Sequence, residues 1–170
     1  TWGGGHDFYT NLASSHYCNL GHSFKCRTGS YGSTTCRDDF CGTYHPILNE
    51  VEVYYKDPTS GPSFDPSILL NTNQMAQLNS WYGNAKQRWA LCYRSSLHGT
   101  DVATFHKNCD NKGPSMTVVS LTNGKLIGGY ASEPWTSTTG YVNTTTSWLF
   151  SLSTQFKHAY YQRGQNGLYR

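Results

Sequence analysis

Six cysteines in 170 residues constrain this chain more than any other feature. The even count, at Cys18, Cys26, Cys36, Cys41, Cys92 and Cys109, fits a secreted domain tied by disulfides in an oxidising compartment. No Cys-x-x-Cys pair occurs, which argues against a zinc knuckle or a thioredoxin-like site. Six cysteines allow fifteen pairings. The local set is expected: Cys18–Cys26, Cys36–Cys41 and Cys92–Cys109, the last tying a strand to a helix end. The chain opens at Thr1 without Met, as a processed, mature product would.

Between the cysteines the pattern is mostly that of strands. Glu50 to Tyr55 alternates around Val51 and Val53, and Arg88 to Arg94 alternates Trp89, Leu91 and Tyr93. Met116 to Leu121 and Lys125 to Tyr130 flank Asn123-Gly124, a hairpin signal because both turn residues tolerate positive φ. Gly128-Gly129 within the second strand predicts a bulge or a close backbone approach. Trp148 to Leu152 and Phe156 to Tyr161 read as further short strands, and residues 10 to 45 as long loops. Two helices are predicted. One is capped by Asp65 with Pro66 at its first position and ends near Gly83. The other opens at Gly99-Thr100 and buries Val102, Phe105, His106 and Cys109. The expected fold is α+β, mostly β: a two-sheet antiparallel β-sandwich with two flanking helices.

Charge excludes several classes of function. Only 14% of residues are charged and the formal net charge is +3, with no block of five like charges. Neither nucleic-acid binding nor a polybasic membrane tail is indicated, and no apolar run reaches the length of a membrane span.

Longer motifs carry a family resemblance. Leu91-Cys92-Tyr93-Arg94-Ser95-Ser96, Phe105-His106 with Cys109-Asp110 and Gly113-Pro114, Gly128-Gly129-Tyr130, Trp135 and Leu149-Phe150-Ser151-Leu152 resemble, in that order, the front half of a TLDc domain. Trp2-Gly3-Gly4-Gly5-His6-Asp7, Asn19-Leu20-Gly21-His22 and Glu50-Val51-Glu52-Val53-Tyr54 resemble its back half, in the form found in secreted proteins of simple marine animals. The resemblance implies one TLDc-like domain over 1–170 with its halves in reversed order: 1–57 matches the family's C-terminal half, 58–65 is a linker, and 66–170 matches its N-terminal half. Circular permutation, processing of a tandem array and exchange between copies would each give this order. Each predicts that Thr1 and Arg170 lie close together.

Catalytic and metal chemistry find little support. The seven histidines fit no ligand spacing, and no Gly-x-Ser-x-Gly elbow or facing carboxylate pair is visible. Glu50, Glu52, Asp57, Asp65, Asp101 and Glu133 look scattered. By the resemblance, His106 has a structural role at the end of its helix. Asp110-Asn111-Lys112-Gly113-Pro114 and Asp38-Asp39 are turns that could offer oxygen ligands to calcium, though carboxylates are few; no other cofactor or metal is indicated. The expectation is therefore a non-enzymatic, secreted recognition protein, a lectin binding glycans through Trp2, His6, Asp7, Trp135 and Tyr141. A sugar's apolar C–H face stacks on an aromatic ring while its hydroxyls need directional partners. Agglutination would require an oligomer. Asn143-Thr144-Thr145 is a glycosylation acceptor pattern. The alternatives are an intracellular-type TLDc module, linked to oxidation resistance and the V-ATPase, and a structural or pigment-carrying matrix protein.

Overall fold

The computed structural model describes residues 8–10, 16–18, 23–30, 32–59, 63–160 and 168–169. In chain order these form β1 (Phe8–Thr10), β2 (His16–Cys18), α1 (Thr34–Phe40), β3 (Leu48–Asp57), α2 (Thr72–Tyr82), β4 (Arg88–Arg94), α3 (Ser95–His98), α4 (Val102–Cys109), β5 (Ser115–Leu121), β6 (Leu126–Ala131), β7 (Tyr141–Val142), β8 (Trp148–Ser151), β9 (Phe156–Ala159) and β10 (Leu168–Tyr169). The expected proximity of Thr1 and Arg170 falls outside the described residues.

A six-stranded antiparallel sheet, in the order β4-β3-β5-β6-β8-β9, organises the fold. Side chains alternate across it and both faces are covered, so the middle of β3 and nearly all of β5 are buried. One face carries Val51, Val53, Tyr93, Val119, Leu121, Ile127 and Leu149 beneath Phe24, Phe40 and the cysteine-rich segments. The other carries Tyr54, Trp89, Met116, Val118, Tyr130, Trp148 and Phe150 beneath α2 and Phe64. Of the expected second sheet, the described residues show two antiparallel ribbons, β1–β2 and β7–β10. Cys18 from β2 and Val142 from β7 pack on the first core.

The strand predictions hold closely. Arg88–Arg94 has the expected bounds, and Asn123-Gly124 turns the β5–β6 hairpin with Gly124 at φ 82°. Gly128 pairs with Val118 in register, so it marks a close approach rather than a bulge. A Cβ there would clash with the Thr117 carbonyl oxygen and the Phe150 ring.

Four expectations need correction. Pro66 does not open the first helix: Asn71 caps it, accepting from Gln74 N–H while the Gln74 side chain accepts from Asn71 N–H. The backbone between them is held out of the helix, because the amides of Ile68, Leu69 and Leu70 donate to Glu52 and Ser67. Within the expected linker 58–65, Phe64 is not a free connecting residue: it is buried in the core and its N–H donates to the Trp89 carbonyl. In the second helix, capped by Asp101, Val102 is exposed and Cys109 is the buried residue. Finally, α1 forms within the expected loop region, and with it a different cystine pattern. Cys18 joins Cys41 and Cys26 joins Cys36, one bridge nested inside the other; Cys92–Cys109 is as expected. Ser33 caps α1 and directs Cys36 and Phe40 inward, which presents Cys36 to Cys26 instead of to Cys41.

Candidate functional site

Adjacent alternate positions on β3 place Glu50 and Glu52 on one side of the sheet, beside the Arg94-Ser95-Ser96 stretch that ends β4. Glu52 is fully buried. Its Oε1 accepts from Arg94 Nε at 2.9 Å and Ile68 N–H at 2.9 Å. Its Oε2 accepts from the Tyr54 hydroxyl at 2.7 Å and the Ser67 hydroxyl at 2.6 Å. Arg94 also donates to the Pro66 carbonyl. Glu50 accepts from Val51 N–H, Ser96 N–H and the Ser95 hydroxyl. Burial pushes the Glu50 carboxyl up, but the bonds from Ser95, Ser96 and Val51 outweigh it and hold it below the ordinary carboxylate range. A carboxylate so saturated is a poor base, and Ser95 beside it gains little activation. The cluster is a latch that joins β3, β4 and the 66–70 segment. The scattered-carboxylate expectation missed it because its members lie up to 46 residues apart; the visible signal was Glu50 and Glu52 at strand period opposite an Arg-Ser-Ser run.

Of the predicted sugar residues, Trp135 and Tyr141 lie among the described residues. Trp2, His6 and Asp7 lie outside the described residues. Trp135 is 7% exposed, packs edge-on to Phe105, and donates its Nε1–H to the Ser115 hydroxyl at 2.8 Å, so it is a core residue. Tyr141 is 51% exposed on β7, and Asn143 follows it at the surface. His106 ties the end of α4 to the 135–137 loop: its Nδ1 meets Asp110 at 2.8 Å, and the other Asp110 oxygen accepts from Ser137. Cys109, being bridged, offers His106 no thiolate. The oxygens considered for calcium are engaged too, Asp39 with Arg27 and Thr28, Asp38 with Arg37. Among the described residues no group of three or more His, Cys, Asp or Glu could hold a metal, and no helix is long and apolar enough to cross a membrane.

His158 is a further buried ionisable group. Its Nδ1–H donates to the Lys25 carbonyl at 2.8 Å, tying the Cys26–Cys36 segment to β9, and Phe40 and Phe156 pack against the ring. Nε2 finds no hydrogen-bond partner among the described residues. Burial, the dominant influence, lowers its pKa from 6.5 to about 4, with Arg27 adding to the drop and the Lys25 carbonyl and Asp39 opposing it. The folded state therefore refuses a proton that the unfolded chain accepts. Stability is unaffected above pH 6.5, falls as the pH is lowered, and loses up to about 3 kcal/mol by pH 4. Urea midpoints between neutral and mildly acid pH should fall steeply for the native protein and much less for His158→Gln. Equal slopes would remove His158 as the cause.

A second surface feature surrounds the end of β3. Lys56, Lys86 and Lys112 are exposed there. The Lys112 ammonium lies 4.6 Å from the Tyr55 ring centre and that of Lys56 lies 5.7 Å from Tyr82. Lys56 N–H donates to the Pro114 carbonyl, and Gln87, next to Lys86, donates to the Asp57 carbonyl, so the three backbones meet at one tip. The carboxylate of Asp57 is taken by Arg88 and Thr59. Among the described residues no lysine forms a salt bridge, whereas Arg27, Arg37, Arg88 and Arg94 all do. At the tip the Asp57 carboxylate is drawn into the fold while the three ammonium groups stay outside, which makes the tip more cationic than the net charge suggests.

The sequence pattern of the TLDc domain matches residues 63–169. The MTOR-associated protein MEAK7 of Gallus gallus is 30% identical over 88 residues, covering 51% of this chain and 17% of that protein. The Mus musculus protein of the same name is 28% identical over 109 residues, covering 55% and 24%. Oxidation resistance protein 1 of Homo sapiens is 27% identical over 96 residues, covering 55% and 11%. The chain thus spans at most 24% of the length of these relatives. No solved structure matches it. The matched stretch includes Arg94, Ser95 and Ser67, but Glu50 and Glu52 enter the latch from outside it, on β3.

Proposed function

The chain belongs to the TLDc domain family, and on that premise we propose that it is a non-enzymatic TLDc module that docks through its lysine tip onto an acidic protein surface. The exposed ammonium groups of Lys56, Lys86 and Lys112, two of them laid over tyrosine rings, carry this reading. Cation–π contact and a backbone fixed at the sheet end lower the entropy lost when such side chains meet a partner. The saturated latch supports a scaffold in place of an active centre. One relative is named for association with MTOR and another for oxidation resistance. In this chain all six cysteines are bridged, so protection against oxidants would come from recruiting a partner and not from its own thiols. Three disulfides favour an oxidising compartment for the encounter. The central place of β3, which lies outside the matched stretch, supports halves in reversed order.

Fluorescent polyglutamate is a suitable first probe. It should bind at low salt, weaken steeply as salt screens the tip, and fail to bind the Lys56→Glu, Lys86→Glu, Lys112→Glu triple variant at unchanged melting temperature. Binding indifferent to both salt and charge reversal would remove the docking face. The exposed ring of Tyr141 favours glycan recognition as a second reading. A glycan array with no signal above background, for native protein and Tyr141→Ala alike, would end it.

A further inference from the structure

We infer that Asn143 is an attachment site for an N-linked oligosaccharide, and that Tyr141 is the ring on which its first sugar rests. Asn143-Thr144-Thr145 is the one Asn-x-Ser/Thr triplet in the sequence. From Tyr141 to Thr145 the chain alternates outward and inward. Tyr141, Asn143 and Thr145 are exposed, Val142 is partly buried against the core, and Thr144 is buried. The Thr144 hydroxyl lies 2.6 Å from that of Ser132 and 3.3 Å from that of Thr146, which anchors the segment from beneath. An aromatic ring, the acceptor amide and the hydroxyl two residues later are thus exposed together, while the residues between them are partly or fully buried. That is the arrangement attachment needs, with the acceptor and its hydroxyl reachable together. The ring two residues earlier is placed to receive the apolar C–H face of the first pyranose. Three disulfides place folding in the kind of compartment where such transfer occurs.

In the transfer, the Asn143 amide nitrogen displaces diphosphate from the anomeric carbon of a polyprenyl-diphosphate-linked oligosaccharide. The N–C1 bond forms, the C1–O bond to diphosphate breaks, and the bond's electron pair leaves with the polyprenyl diphosphate. The nitrogen gives up one proton to the transferase's base, and no redox change occurs. Once attached, the sugar lies against Tyr141, a residue 51% exposed on a two-residue strand.

The test is to secrete the full chain from a eukaryotic cell and weigh it before and after peptide N-glycosidase, which leaves aspartate at a formerly occupied asparagine. The native protein should lose one oligosaccharide and carry Asp at 143. Asn143→Gln and Thr145→Ala should emerge without the sugar, and Thr145→Ser should keep it. These side chains are exposed, so folding is preserved. Tyr141→Ala should be occupied severalfold less. The glycosylated native protein should melt about 2–4 °C above its stripped form, a gain absent in Tyr141→Ala. Unmodified native protein would overturn the site. An occupied site with equal occupancy and equal melting gain in Tyr141→Ala would overturn the role of the ring. Neither outcome touches docking through the lysine tip.

Discussion

Replacing Glu52 by alanine is expected to lower the stability of the folded chain by about 3–5 kcal/mol. The loss does not measure the attraction between Glu52 and Arg94, because much of that attraction offsets the cost of bringing both charges out of water. It measures what is left behind. The Arg94 guanidinium is 11% exposed, and without its carboxylate it remains in the protein with the Pro66 carbonyl as its remaining acceptor among the bonds described. The Tyr54 hydroxyl, the Ser67 hydroxyl and the Ile68 amide lose their acceptor at the same moment. Unsatisfied buried donors are costlier than the average hydrogen bond is stabilising. Glu52→Gln should lose less, since it keeps the volume and one acceptor oxygen. Removing both charges together, as Glu52→Met with Arg94→Leu, should recover much of the deficit. Urea denaturation of the three variants reads this directly. A single-variant loss no larger than the double variant's would mean that the latch is incidental to the fold.

Gly128→Ala should be nearly as damaging, by about 3 kcal/mol, the upper part of the range for overpacked cores. The added methyl has nowhere to go. On one side is the carbonyl oxygen of Thr117, fixed in the β5–β6 ladder. On the other is the buried Phe150 ring, with Cε1 2.9 Å from the new carbon. Relief requires opening the sheet between β6 and one of its neighbours. Gly124→Ala, in the turn of the same hairpin, meets nothing within 4 Å and suffers only the strain of φ +82°, so it should lose roughly 1 kcal/mol. Thermal melts that rank the two variants the other way would contradict the packing described for β6.

Local pattern was legible in the sequence wherever one strand or one turn decides the outcome. Alternation around Trp89 and Tyr93 marked β4, and Asn123-Gly124 marked the hairpin. The glycine pair in β6 marked either a bulge or a close approach, and the structure has the close approach. What stayed hidden depends on distant partners. Cys36 pairs with Cys26 because α1 turns it there, and α1 carries only Cys36 and Phe40 as buried residues, too few to show a helical stripe. The start of α2 is displaced because residues 67–70 serve Glu52 and Ser67, a demand that no local window contains. The latch escaped for the same reason: Glu52 and Arg94 are 42 residues apart, and only the pairing of β3 with β4 unites them. Residue type alone did not separate Tyr141, which is exposed, from Trp135, which is tied down by Ser115.

β3 lies between β4 and β5, yet it comes from upstream of residue 63, where the family match begins. Taken alone, residues 63–169 would hold a slot one strand wide, with two ladders of backbone groups facing each other about 10 Å apart. The slot is matched to Leu48–Asp57, and that strand brings the two glutamates that lock it in. The consequence is a domain completed by a single strand: were that strand traded between two copies, each would supply what the other lacks.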